Sequence, residues 1–394
     1  MNSKPTKRKQ IGNMSLMAAI LIISSLEWHF YSWYTVMNRY GTLITFAALL
    51  VTFFCYVEIK DALRDPYFYL MAAADLTALV NLFVIGSNKG AILVVTDLML
   101  FLYLADKLVF SDREIYISLG YTAFFFFYWT VDVKGYFKGY NINYGGLILL
   151  TGFVCFMILM VYMRQYVQGH KKLWPRILYM AAFLFTTALA FNIIAWYRSR
   201  TALTGLIVFI ALMLLPKKIW GNRAVYTAVV MMTTIGSVLI SGLYVLIGEK
   251  LGESGVRIFN KDLISGREEV WDELFRAFLK KPVTGIGSSF VSSFDYINGI
   301  EVHNGLLDIL IVHGLIVFAV MIVFLIKKLL PLRETVAGDD IAKFSFAAMG
   351  SMLVASMFEN YIIVPPFMIM FFMLFAVINN RADRLKTAEG SIKE

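Results

Sequence analysis

The chain has 394 residues, 59% of them hydrophobic and 16% charged, with 36 Lys and Arg against 27 Asp and Glu. Soluble proteins hold roughly 45–50% apolar and about 25% charged residues, so the composition excludes an ordinary water-soluble enzyme and points to a polytopic membrane protein. The net charge of +9 reads as a basic girdle facing anionic lipid rather than a nucleic-acid surface, and the only two cysteines, Cys55 and Cys155, lie in apolar stretches, against a disulfide framework or a cysteine metal site.

Apolar windows, each of about 20 residues and so able to cross a hydrocarbon core of about 30 Å as a helix, begin near residues 11, 40, 67, 91, 115, 145, 176, 201, 224, 304, 341 and 365. They predict an all-α fold of about 12 transmembrane helices. The first window follows the basic tail Lys4-Pro-Thr-Lys7-Arg8-Lys9. Glu27-Trp28-His29 is a poor signal-peptide end, so this window reads as a retained helix. Of the 36 basic residues, 23 fall on the side of the two termini and 13 on the other, seven of these in one long connector. Long connectors cross a membrane largely regardless of charge, so the comparison that decides is 23 against 6, which places both termini in the cytoplasm.

The expected organisation is a cytoplasmic tail and nine spans over residues 1–246, an extracytoplasmic loop over 247–303, three spans over 304–380 and a cytoplasmic tail over 381–394. The loop is the external segment long enough to build a site. No internal repeat or low-complexity tract interrupts the pattern.

Within the loop, Ser265-Gly-Arg267-Glu268 has capping-box spacing and predicts a helix with Arg267 in its first turn. Val270, Trp271, Leu274, Phe275, Phe278 and Leu279 follow at helical spacing on one face, and Lys280-Lys281-Pro282 ends the run. Such an amphipathic element either lies in the outer headgroup layer, roofing a cavity, or packs as an ordinary loop helix. Gly285-Ile-Gly287 permits tight turns and close approach to a ligand.

His303-Asn304 stands where the loop re-enters the membrane, and a histidine there takes a proton near neutral pH as a general base must. The other histidines have weaker placements: His29 beside the first span, His170 in a basic cytoplasmic connector, His313 halfway down an apolar span. Arg198 and Arg200 share a connector so short that both guanidinium groups stand at the mouths of two spans. They bind a lipid phosphate or pyrophosphate between them or snorkel to headgroups. Glu359-Asn360, before Pro365-Pro366, sets a carboxylate at the same level, to orient the histidine, hold sugar hydroxyls or cap a helix. Asp75 and Asp97 hold helices together. With no Asp-x-Asp pair in the external connectors and no histidine or cysteine cluster, a divalent metal is disfavoured, although Glu268-Glu269 and Asp272-Glu273 keep it open.

Taken in order, Arg-Ser-Arg-Thr-Ala-Leu at 198–203, Gly-Arg-x-x-x-Trp at 266–271, Lys-Pro-x-x-Gly-x-Gly at 281–287 and His-Asn-x-x-Leu at 303–307 resemble the O-antigen ligase/polymerase family of bacterial enzymes that use lipid-linked sugars. The resemblance spans about residues 198–330. It implies a glycosyltransferase-C-like helical bundle completed by a long external loop, with His303 as catalytic residue and Arg200 and Arg267 as pyrophosphate ligands. Arg198 joins them by proximity, and Asn304, Glu359 and Trp271 are supporting candidates. Two departures stand out: the loop is short for the family, and Gly305 replaces a commoner larger residue.

The implied activity is metal-independent and cofactor-free, most simply with inversion. It is transfer from an undecaprenyl-pyrophosphate-linked oligosaccharide to the terminal hydroxyl of another lipid-linked glycan, at the outer face of the bacterial cytoplasmic membrane, to build O-antigen, capsule or exopolysaccharide. Membrane lipids, a flippase and a chain-length regulator are the expected partners, and nucleic acid is not. A ligase joining finished polymer to a lipid or protein acceptor is the nearest alternative. Polymerase is preferred because nothing in the chain speaks for an outer membrane. A flippase would use arginines to grip pyrophosphate without needing a histidine base, and transporters carry paired broken helices at the midplane.

Overall fold

In a computed structural model the described residues are 16, 18–28, 31–107, 110–131, 141–168, 173–251, 257–258, 261–262, 267–292 and 302–393. His29, His170 and the capping residue Ser265 lie outside them, as does much of the long loop.

The described chain is helical apart from a two-residue antiparallel pair, β1 (Arg257–Ile258) and β2 (Lys261–Asp262). The principal helices are α1 (Ala18–Trp28), α2 (Tyr31–Tyr56), α3 (Pro66–Val84), α4 (Lys89–Leu104), α5 (Asp112–Val131), α6 (Ile142–Gln168) and α7 (Leu173–Trp196). They continue as α8 (Arg200–Leu214), α9 (Arg223–Thr234), α10 (Gly236–Leu251), α11 (Arg267–Lys280), α12 (Gly305–Leu329), α13 (Asp340–Ala355) and α14 (Pro365–Lys393).

Several starts are set by a short polar residue whose side chain accepts a backbone N–H that the first turn leaves free. Asp65 accepts from Tyr67 at 3.0 Å, Asn88 from Ala91 at 2.8 Å and Asp339 from Ala342 at 2.9 Å. Between the caps the helices are apolar on most faces, as a segment must be that satisfies its own backbone in lipid.

Among the described residues six helices are long and apolar enough to cross a membrane, Thr35–Tyr56, Pro66–Val84, Ile142–Arg164, Leu173–Trp196, Gly305–Gly338 and Pro365–Leu385, and α9 with α10 makes a seventh if the bent pair is one span. These support a polytopic membrane protein and do not by themselves establish the expected twelve spans. Helices do occur at the other positions, but α4 and α13 have 16 residues and α8 has 15. α10 runs on to Leu251, past the expected loop start at 247, and α14 runs through 381 to Lys393.

The helices sort into inner and outer sets. Windows in α6, α12 and α14 are 78%, 72% and 72% buried, against 33%, 22% and 17% for α2, α3 and α7. The inner helices are therefore covered by protein, while the outer set turns exposed side chains such as Phe83 and Leu184 toward what would be lipid. α13, almost wholly buried, packs on α8, α6 and α14, and Ser351 Oγ donates to Gly205 O of α8 at 2.7 Å.

Two helices are broken. α9 and α10 meet at 60°, and α12 opens at Gly314, whose φ of 89° and ψ of 173° are non-helical and lie in a region essentially only glycine adopts. That break frees backbone groups, and the loop after α11 takes them: Ile286 N–H donates to Ile311 O (2.9 Å), Gly287 N–H to Val312 O (3.1 Å) and Leu315 N–H to Pro282 O (2.8 Å). Asn81 of α3 closes the set, donating to Thr284 O at 2.6 Å and to His313 O at 3.3 Å. Gly285-Ile-Gly287 thus makes a close approach to the backbone of α12. Gly285 has φ of 76°, and a Cβ there would stand 2.5 Å from Val312 O.

Alanine at Gly314 meets both the positive φ and a collision with Val283 O, so Gly314→Ala is expected to lose at least about 1–3 kcal/mol of stability. Gly120, inside α5 with open space around it, supplies the opposite sign, since alanine in a helix interior gains about 0.5–1 kcal/mol. Thermal unfolding of both variants in detergent is the check, and a Gly314→Ala protein as stable as wild type would dismiss the backbone bridge.

Candidate functional site

The site is built around one carboxylate. Glu359 sits in the connector between α13 and α14 and is 7% exposed. Its Oε1 accepts from Asn143 Nδ2 at 2.6 Å and from Arg267 Nη2 at 2.9 Å, and its Oε2 lies 3.0 Å from His303 Nδ1. A buried carboxylate costs free energy unless its lone pairs are met; here a cation, an amide and an imidazole meet them.

The three donors come from separate elements. Arg267 opens α11, His303 precedes α12, and Asn143 stands in the first turn of α6. The side chains of Arg267 and His303 remain 18% and 26% exposed, so both are reachable from outside. With the carboxylate as acceptor, the imidazole carries its proton on Nδ1 and keeps a lone pair on Nε2.

His303 has φ of 52°, a left-handed conformation that side chains rarely adopt and that surrounding structure must hold. On the chain's N-terminal side, the buried Trp271 donates from Nε1 to Val302 O at 2.7 Å and packs edge-on against Tyr244 at 5.3 Å. Following it, Asn304, fully buried, caps α12 by accepting from Leu307 N–H at 3.0 Å and donates to Ser241 Oγ of α10 at 2.8 Å. Gly305 N–H donates to Ser356 O at 2.8 Å and to Glu359 O at 3.3 Å, which ties the histidine turn to the connector that carries its partner.

Trp271 and Asn304, the supporting candidates, hold the backbone of the histidine turn, and of the two placements open to α11 the structure shows the packed loop helix. Val270, Trp271, Leu274 and Phe278 are buried because α10 and α12 cover that face.

The arginine turn lies against the first turns of α6. Arg198 has φ of 54° and is exposed, Ser199 is buried, and Arg200 is half-buried at the start of α8. Ser199 caps that helix and presses on Gly146 of α6. Gly146 follows Asn143 by three residues, on the same helix face, so one turn of α6 touches both the arginine turn and Glu359. Buried Tyr197 donates to Trp129 O at 3.4 Å, and Trp129 Nε1 to Trp28 O at 2.9 Å, fixing the turn to the ends of α5 and α1.

Sequence reasoning missed Asn143 and Glu27. Asn143 stands among polar residues just before an apolar span, where asparagine signals only a helix cap, and Asn141 indeed accepts from its N–H at 3.0 Å. Buried Glu27 accepts from the hydroxyl of Tyr144, the residue after Asn143. A carboxylate at the end of an apolar window was the available signal. Of the remaining acids, Asp75 and Asp97 sit in α3 and α4 away from this assembly. His313 lies at the break in α12. Among the described residues no three histidine, cysteine or carboxylate side chains gather as a metal site requires.

An imidazole and a guanidinium thus share one buried carboxylate in a helical bundle, and the turn that carries Arg198 and Arg200 packs on the helix that supplies Asn143. Residues 185–322 match the family model for O-antigen ligase. That match supports an O-antigen ligase/polymerase-like family, and with it a ligase/polymerase-type role in polysaccharide assembly. No curated protein and no solved structure matches the chain. The matched stretch runs from within α7 into α12. It contains Arg198, Arg200, Arg267, Trp271, His303 and Asn304, while Asn143 and Glu359 fall outside it.

Gly305 answers one departure from the family. A Cβ there would stand 2.6 Å from Ser356 Oγ, in the connector that carries Glu359. Gly305→Ala is expected to cost about 1–3 kcal/mol, the usual range for overpacking, and Gly305→Ala with Ser356→Ala to recover most of it. A double-mutant cycle in thermal unfolding measures the coupling; additive losses would show that the two residues do not compete for space.

Proposed function

We propose that the chain is a polysaccharide polymerase. It would transfer glycan from an undecaprenyl-pyrophosphate-linked oligosaccharide to the terminal hydroxyl of another lipid-linked glycan at the outer face of the plasma membrane. The bundle, in this reading, is glycosyltransferase-C-like with both termini cytoplasmic. The observation that carries the proposal is the 3.0 Å contact of His303 Nδ1 with Glu359, which leaves Nε2 as a proton acceptor on a partly exposed ring.

In the proposed reaction His303 Nε2 takes the proton of the acceptor hydroxyl while that oxygen attacks the anomeric carbon. The new glycosidic bond forms as the bond to pyrophosphate breaks, with inversion in a single displacement. Glu359 holds the ring in its tautomer and stabilises the imidazolium that forms, as a third group does behind a histidine base. Arg267 uses one of its five N–H groups on Glu359, so the rest of its fork is available to the leaving pyrophosphate. Arg200 and Arg198 approach from the turn after α7. Preorganised cations at developing negative charge supply the stabilisation that a metal supplies elsewhere.

The family description favours a second reading, a ligase that moves finished polymer to a new acceptor with the same residues. A transporter fits less well. The break in α12 is the kind of feature a transporter uses, but here the loop and Asn81 take the freed carbonyls of residues 311–313, and the arginines gather at a helix end instead.

Purified protein with a lipid-pyrophosphate repeat unit should give an electrophoretic ladder of many rungs that persists with chelator. His303→Ala should slow it by about 10²–10⁴-fold, the usual worth of a general base, and Glu359→Gln by about 10²-fold through misplacement of the ring. A single transferred band of unchanged polymer length would convert the reading to ligase, and an unchanged rate in His303→Ala would remove the base.

A further inference from the structure

The loop that repairs the break in α12 also carries apolar side chains that stand exposed among the described residues. Leu279 at the end of α11 is 72% exposed, Val283 54% and Val291 71%, and they flank the exposed pair Lys280-Lys281. This edge is continuous with the surfaces of two candidate spans. Leu315 N–H bonds Pro282 O, and Leu315 is itself 51% exposed on α12. On the other side Ser288 Oγ accepts from Asn88 N–H at 2.7 Å, beside the end of α3, where Phe83 is 79% and Val84 71% exposed.

An uncovered apolar patch of this kind marks a partner or a bilayer, and two properties decide between them. The patch runs without interruption onto the outward faces of α3 and α12, which are apolar enough to span a membrane. Its charged members are both lysines, whose stems can lie along apolar surface while their ammonium groups reach phosphate.

From these we infer that residues 279–291 dip into the lipid leaflet on their own side of the membrane, with Leu279, Val283 and Val291 among acyl chains and Lys280-Lys281 at anionic headgroups. The loop is thereby a second membrane anchor for the segment whose other end holds Arg267. α11 does meet lipid, but at its tip, since its main apolar face is used inside the protein. The inference rests on the membrane spans and is independent of the transfer reaction.

The test uses the full-length protein with Cys55→Ser and Cys155→Ser as background, in vesicles of phosphatidylcholine with and without phosphatidylglycerol. A spin label is placed at Leu279→Cys, Val283→Cys or Val291→Cys, and at Glu269→Cys near the other end of α11 as a control. Relaxation by oxygen is expected to exceed relaxation by a water-soluble nickel chelate at the three patch positions and to fall below it at 269. Nickel-dominated relaxation at all three positions overturns the inference. So does shielding from both reagents, which would mean that protein covers the patch. Phosphatidylglycerol should move the 279 label deeper, and Lys280→Gln with Lys281→Gln should abolish that shift; a depth indifferent to lipid charge would remove the headgroup contact. Because no sugar substrate is involved, a positive result with catalytically dead protein would count against the proposed reaction and not against this anchor.

Discussion

Four separate parts of the chain converge only because a buried carboxylate has to be answered. Glu359 reaches Asn143, Arg267 and His303 within 3.0 Å, and leaving any of these donors or the acceptor unmet in a site this enclosed would be expensive. The carboxylate therefore fixes more than a side-chain position. It sets the height of α6 relative to α11, and it draws the turn before α12 toward the α13–α14 connector. The backbone bonds from Gly305 N–H to Ser356 O and Glu359 O run between the same two segments, so side-chain and main-chain ties reinforce one arrangement.

The strained turn at His303 follows from that arrangement. A histidine with φ of 52° persists where both neighbours are over-determined: Val302 O is held by Trp271, and Asn304 is tied to α12 and α10. Further down, the break at Gly314 lets the loop after α11 bond α12 directly. α11 is then clamped at both ends to the helix that begins beside His303, by Trp271 near its start and by Pro282 just past its end. Arg267, in the first turn of α11, inherits its position from these clamps as much as from its own salt bridge.

How much of this was legible in the sequence divides along physical lines. Hydropathy reports burial in anything apolar, so it located the helices but did not separate a long span from a short buried helix such as α13, where protein covers 13 of 16 residues. For the same reason the apolar face of α11 was readable as an amphipathic stripe while its partner was not: Leu274 and Phe278 look alike against α10 or against acyl chains. The histidine and arginines could be singled out because charge beside a membrane is rarely kept without a task. Asn143 could not, because an asparagine before a span ordinarily caps it, and only the fold brings it to residue 359. Gly285-Ile-Gly287 was readable as a place of close approach, but what approaches is a carbonyl freed by a glycine some thirty residues later.

The boundary of the family match sharpens the role of Glu359. Residues 185–322 supply the histidine and all three arginines, while the carboxylate that His303 and Arg267 share lies beyond them; Arg267 is mostly buried, and a guanidinium so placed needs an anion whether or not a substrate is present. The part of the chain beyond the match provides it, through a connector that reaches the site only because α13 is packed across α8 and ends beneath Gly305. That geometry makes α13 and α14 more than scaffold. They deliver the one group that both the candidate base and a candidate anion ligand touch, so a displacement of α13 would reach His303 and Arg267 together.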